Sequence, residues 1–203
     1  MNQPTNPLPW NRIVVVLAIA LVMLLALLGG WWISQSGGNS AITGKALIGG
    51  PFTLVDQDGK TRTEKDFLGQ NQLIYFGYSF CPDVCPTELA KMSAAIDLLP
   101  KDANITPVFI TIDPERDGVP EMKAYASAFH PRQVALTGTV EQIRAAAKAY
   151  RVYFAKNNSS GSTEYLMDHS SIIYLMNTKG DYIAHFTVDS TPEQIAARVR
   201  EVL

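Results

Sequence analysis

Tyr75-Phe-Gly-Tyr-Ser-Phe-Cys-Pro-Asp-Val-Cys-Pro86 is the stretch on which the reading of this chain turns. Gln72 to Phe76 reads as a short apolar strand, and Thr87 to Leu99 carries Leu89, Met92, Ala95, Ile96 and Leu99 at helical spacing. Cys81 and Cys85, the only two cysteines in 203 residues, therefore fall where strand gives way to helix. The positive end of a helix macrodipole favours thiolate, the form that attacks disulfides and binds soft metals. The C-x-x-x-C spacing differs from the C-x-x-C of a plain thioredoxin-type oxidoreductase. Side chains four apart at a helix end lie roughly 5–6 Å apart at Cβ, within reach of either a disulfide or a shared metal. A structural disulfide, or two buried thiols packed as small hydrophobes, is the plainer alternative. Pro82 and Pro86 weigh against it: Pro86 suits the first turn of a helix, and Pro82 stiffens the loop that sets the sulfur geometry.

Outward from that motif the pattern alternates. Pro51 to Val55 followed by Asp56-Gln-Asp-Gly-Lys60 predicts a strand and an Asp-Gly turn. Ile105 to Ile112 suits a strand buried on both faces. A helix is expected over Pro120 to Phe129 and a strand over Val134 to Leu136. Thr139 with Gln142 is a capping-box pattern for a helix whose apolar stripe is Ile143, Ala146, Ala147 and Tyr150. Val152 to Ala155 reads as another strand. Ser171 to Met176 and Tyr182 to Thr187 form a hairpin around Asn177-Thr-Lys-Gly-Asp181, and a last helix starts near Ser190 to Pro192. Strands alternating with helices and closed by an antiparallel hairpin predict an α/β domain: a thioredoxin-like mixed sheet flanked by helices.

Ahead of this domain, Ile13 to Ile33 is free of charge and apolar throughout. As a helix it would span about 31 Å, one bilayer core. Trp10 and Trp31-Trp32 stand at its ends, where aromatic rings settle at headgroups. The expectation is one N-terminal transmembrane helix over 13–33, with 1–12 on the cytoplasmic side because Arg12 precedes the span and no basic residue follows before Lys45. A cleaved signal peptide is the alternative, although its apolar region is usually about 7–15 residues. Residues 34–44 read as a flexible tether, and 45–203 as one domain of ordinary size. The first twelve residues lack transit-peptide character, which favours a bacterial inner membrane with the domain in the periplasm over a mitochondrial one. With 17 Lys and Arg against 19 Asp and Glu, and no basic block, nucleic acid is excluded as a partner.

Of three histidines, His169 ranks first. It lies in the polar turn Met167-Asp-His-Ser-Ser171 before the hairpin, and in thioredoxin-like folds that loop faces the cysteine loop. A turn histidine with no partner is the alternative. His130, ahead of Pro131, is expected to bond the end of a helix, and His185 to be a half-exposed strand residue. Asp168 and Asp83 are candidates for orienting the imidazole or adding negative charge beside a cation. Two thiolates and one imidazole make a soft, low-coordinate set. Structural zinc asks for a fourth Cys or His, whereas thiolate softness selects Cu(I), and a set completed by water or carboxylate also suits Cu(II). Copper, one per chain, is the best-matched metal.

Gly49-Gly-Pro-Phe-Thr-Leu-Val-Asp56, the cysteine motif, Thr111-Ile-Asp-Pro-Glu-Arg-Asp117, Leu136-Thr-Gly-Thr139, Lys148-Ala-Tyr-Arg-Val-Tyr153 and Asp168-His-Ser170, in that order, resemble the Sco/SenC family of membrane-anchored copper proteins that assist cytochrome c oxidase assembly. The resemblance implies a thioredoxin-like fold with copper held by Cys81, Cys85 and His169. It also implies delivery of copper to the dinuclear centre of oxidase subunit II, or reduction of that subunit's cysteines. Two function classes stay open: a metallochaperone, with another copper donor as a candidate partner, and a thiol-disulfide reductase working with a thiol reductant. A copper or redox sensor is a third.

Overall fold

A computed structural model describes residues 10–36, 47–157 and 165–203. The chain divides into two compact units, 1–45 and 46–203. The first holds helix α1 (Trp10–Ser36), whose side chains from 13 to 29 are exposed. Among the described residues no helix is identified as long and apolar enough to cross a membrane. Side chains of α1 beyond residue 29 are outside the description, so the expected span over 13–33 lies partly there, as do most of residues 1–12 and of the 34–44 tether.

The second unit is built on a sheet of seven strands. In chain order these are β1 (Thr53–Asp56), β2 (Thr61–Thr63), β3 (Asn71–Gly77), β4 (Ile105–Thr111), β5 (Val134–Thr137), β8 (Ile173–Met176) and β9 (Tyr182–Phe186). Their spatial order is β2-β1-β5-β4-β3-β8-β9. The central strands β3, β4 and β5 run parallel, while β1, β2, β8 and β9 join antiparallel. Every residue of β3 is buried, which explains why Leu73 to Phe76 is a continuous apolar run rather than an alternation. The helices are α2 (Val84–Asp97), α3 (Val119–Ser127), α4 (Val140–Ala149) and α5 (Pro192–Arg200). Helix α2 packs on α5, and α3 and α4 contact the β1–β5 side. The thioredoxin-like mixed sheet with flanking helices is the expected architecture.

Local chemistry accounts for the element ends. The capping box at Thr139 forms in full: its hydroxyl accepts from Gln142 N and its N–H donates to Gln142 Oε1. Thr191 and Gln194 repeat it at α5. The predicted stripe of α4, Ile143, Ala146, Ala147 and Tyr150, is buried throughout. Gly59, at φ +78°, closes the β1–β2 turn in the left-handed region where Asp-Gly sequences excel.

Two expectations are corrected. The strand expected over Val152 to Ala155 is displaced to β6 (Phe154–Asn157), because Arg151 takes φ 60° and spends the preceding residues on ending α4. Leu166–His169, read as part of a polar turn, is a strand, β7. It pairs antiparallel with β6 in a separate two-stranded sheet, with Phe154 opposite His169.

Candidate metal centre

Strand β3 delivers the chain to the cysteine loop, and α2 begins at Val84, so the cysteines differ in kind. Cys85 is the second residue of α2 and is fully buried, whereas Cys81 lies on the loop ahead of the helix and keeps 9% exposure. Asp83 occupies the N-cap, yet its carboxylate makes no cap bond. The Cys81 sulfur takes that place: it accepts from the Cys85 backbone N–H at 3.4 Å and from that of Asp83. A sulfur receiving helix-end amides is stabilised as its anion.

The electrostatics follow from this. A hydrogen bond from Cys85 is the largest influence holding the Cys81 thiol down to about 3, and the two helix-end amides add to it against the opposing effect of burial. Cys85 is pushed far the other way, first as the donor to Cys81 and then by burial. The two sulfurs are thus split, Cys81 favouring the thiolate and Cys85 the thiol, and no disulfide joins them in this structure. Pro82 and Asp83 are exposed at the mouth, as the loop reading requires.

His169 enters from the β6–β7 ribbon. Its Nε2 lies 3.4 Å from Cys85 Sγ, and its Nδ1 lies 3.1 Å from the Ser170 carbonyl. A carbonyl only accepts, so the hydrogen is assigned to Nδ1 and Nε2 presents its lone pair to the sulfurs. The rings of Tyr75 and Tyr78 meet the imidazole edge-on, at 6.2 and 6.0 Å between centroids. Tyr75 is anchored by Ser171 Oγ at 3.1 Å, and Tyr78 by the Met167 N–H, which donates to its hydroxyl at 3.2 Å. Burial and the neighbouring sulfurs raise both phenols, so neither competes as an anion.

The other candidates separate cleanly. Asp168 is exposed and accepts both contacts from Asn157 Nδ2 at 3.1 Å; adjacent residues of a strand face opposite ways, so it cannot orient the neighbouring imidazole. The Ser170 carbonyl does that instead. Asp83 contributes its main chain rather than its carboxylate. His130 bonds the Arg132 N–H through Nδ1, and His185 is exposed on β9, bonded to the Tyr182 hydroxyl; neither reaches the sulfurs.

Three features were not read in the sequence. Gly77 permits the close approach of α2: a Cβ there would stand 2.9 Å from Cys85 Sγ. Asp117, fully buried, accepts from Ser79 N at 3.0 Å, from the Ser79 hydroxyl and from Thr111 Oγ1 at 2.6 Å, fixing the loop two residues ahead of Cys81. Arg116 bridges the cysteine loop and the ribbon. All three residues lie in stretches that carry the family resemblance, Tyr75 to Pro86 and Thr111 to Asp117, and those stretches were the available signal.

An open cleft of about 390 Å³ leads to Cys81 and His169, with Pro82, Val84 and Leu166 on its rim. A larger one, about 520 Å³, lies between Phe52, Thr63 and Gln142 and carries no thiol or imidazole. Among the described residues no group of three or more His, Cys, Asp or Glu is already spaced to hold a metal ion. The Cys85 sulfur meets the imidazole and the Cys85 backbone N–H meets the Cys81 sulfur, a ligand set that still carries the Cys85 proton, since metal binding requires that proton to leave.

Residues 40–203 match the family model described as SCO1/SenC. The chain is 42% identical over 164 residues to the mitochondrial SCO1 homolog 1 of Arabidopsis thaliana, covering 78% of this chain and 49% of that protein, so it spans about half the length of that relative. It is 44% identical to protein SenC of Rhodobacter capsulatus over 76% of this chain and 70% of SenC. The structure of Bradyrhizobium japonicum ScoI with copper bound superposes with a TM-score of 0.71 at 43% identity, over 77% of this chain and 99% of that one. With its fold, its motif order and its whole globular unit matched, the chain belongs to the SCO1/SenC family.

Proposed function

We propose that the chain is a copper metallochaperone that holds one Cu(I) through Cys81, Cys85 and His169 and passes it to the dinuclear copper centre of cytochrome c oxidase subunit II. One observation carries the reading: a thiolate, a thiol that loses its proton on loading, and a bare imidazole nitrogen converge beneath an open cleft. Soft sulfur and borderline nitrogen suit copper, and the similar ScoI of Bradyrhizobium japonicum binds it. Three ligands leave a position for a recipient's sulfur, so release by ligand exchange is open. A membrane anchor over 13–33 would hold the domain at the periplasmic face of a bacterial inner membrane, near an oxidase.

The split in thiol character favours one further reading, thiol-disulfide reduction. The Cys81 thiolate attacks one sulfur of a recipient disulfide and expels the other as thiolate. Cys85 then gives up its proton and attacks the mixed disulfide, leaving a Cys81–Cys85 disulfide and a recipient reduced by two electrons. A thiol reductant must reset the chain.

His169→Ala in the full chain separates the two. The expected result is loss of copper loading and transfer, with exchange against a small disulfide retained. A variant that loads and transfers copper like the wild type overturns the metallochaperone reading.

A further inference from the structure

The site draws its ligands from two sheets: the cysteines follow β3 of the large sheet, and His169 ends β7 of the two-stranded one. Something must hold the distance between them, because an isolated pair of strands is marginal at best. Tyr78 reaches across through the Met167 N–H, and the side chain that makes the most contacts on both sides of the gap is Arg116. Its Nε donates to Asp113 Oδ2 at 2.5 Å and its Nη1 to the Tyr165 carbonyl at 3.0 Å, one residue ahead of β7. Its Cζ lies over the Tyr165 ring, 3.8 Å from the centroid, on the ribbon side, and 4.7 Å from the Phe80 and 5.8 Å from the Tyr78 centroids on the cysteine-loop side. The Tyr165 hydroxyl donates back to Asp113 Oδ1 at 2.8 Å, so the carboxylate grips both the arginine and the ring stacked on it.

These contacts have a direction. Phe80 immediately precedes Cys81, and Tyr78 is bonded to the Met167 N–H two residues before His169. Arg116 therefore touches the loop next to one ligand and the strand leading to another, yet touches neither ligand itself. A planar fork that stacks and hydrogen-bonds at once is a task lysine cannot perform.

We propose that Arg116 is a positioning residue, fixing the β6–β7 ribbon against the cysteine loop and so setting how closely the His169 imidazole approaches the two sulfurs. Its bearing on copper rests on the metallochaperone reading; its bearing on the ribbon does not.

The test uses the full chain in detergent, as wild type, Arg116→Met, Arg116→Lys, His169→Ala and the Arg116→Met/His169→Ala double variant, each first shown to unfold cooperatively. In the metal-free arm, iodoacetamide alkylation of Cys81 is timed at one pH. Arg116→Met and Arg116→Lys should both react several-fold faster than wild type, because the mouth opens; equal rates overturn the proposal. In the copper arm, Cu(I) is titrated against a chelator. Arg116→Met should weaken binding at least tenfold in the wild-type background and by less than twofold where His169 is already absent, the non-additivity expected of residues acting through one contact. Equal losses in both backgrounds would make Arg116 a general stabiliser and overturn the proposal. Wild-type protein that binds no Cu(I) defeats the metallochaperone reading, while the alkylation arm still judges the strut.

Discussion

Replacing Gly77 with alanine tests whether the back wall of the site has room to spare. The added Cβ would stand 2.9 Å from Cys85 Sγ, 3.0 Å from Tyr75 Cε1 and 3.1 Å from Phe109 Cε2. Ordinary contact begins at 3.4 Å, so the sulfur has to give by 0.5 Å and the rings by 0.4 and 0.3 Å. All three neighbours are fully buried, and the strand carrying Gly77 is paired on both sides, so no free surface absorbs the shift. Overpacking of this kind costs about 1–3 kcal/mol. For a domain of this size that lowers Tm by roughly 2–4 °C per kcal/mol. The functional loss should be larger than the structural one. Metal–ligand distances tolerate only about 0.2 Å, so moving Cys85 by the required amount takes the sulfur out of range of a copper shared with Cys81. The expected outcome is a Tm lowered by several degrees, read by circular dichroism on the full chain, with Cu(I) affinity lowered at least tenfold in a chelator competition. A Gly77→Ala chain that melts with the wild type and keeps its copper affinity refutes the claim that this glycine makes space for the sulfur.

Alkylation of Cys81 should be nearly flat from pH 5 to 8, because the thiol is held down to about 3; an ordinary thiol of pKa about 8.5 slows tenfold per unit over that range, and such a slope would contradict the assignment. The same lowered value stabilises the reduced fold above the ordinary thiol pKa and loses that contribution as pH falls towards 3, so reduced protein should become progressively less resistant to urea from pH 8 to pH 4. Asp168→Asn and Asp83→Asn should each leave Cu(I) affinity within twofold, since the Asp168 carboxylate is bonded to Asn157 and that of Asp83 makes no cap bond; a tenfold loss in either would place it at the site after all. Oxidation to a Cys81–Cys85 disulfide should abolish Cu(I) binding, because both uses consume the same two thiolates. Undiminished copper in the oxidised chain, by metal analysis beside a thiol count, would show ligands elsewhere.

The central architecture was legible because burial writes itself into local pattern. The run of β3, the stripe of α4 and the Thr139-Gln142 cap each carry their cause within a few residues. The ribbon was not, since Leu166 to His169 places polar and apolar residues side by side and derives its strand character from Phe154 to Asn157 across the pairing. That error moved Asp168 to the wrong side of the imidazole: in a turn it would be a neighbour, whereas in a strand it faces away. Cys81, Cys85 and His169 were singled out from residue chemistry and resemblance. The roles of Gly77, Arg116 and Asp117 depend on what lies across space from them, and no spacing along the chain encodes that.

Mounting the imidazole on a ribbon separate from the main sheet makes the site a joint between two sheets. Four paired residues on each strand place Asn157 and Leu166 about 10 Å along the ribbon from His169. The Leu166 end is held by Arg116 through the Tyr165 carbonyl, and a ligand that ties His169 to the sulfurs would hold the other end as well. The spacing of imidazole and sulfurs is therefore a property of how the two sheets dock, not of either sheet alone.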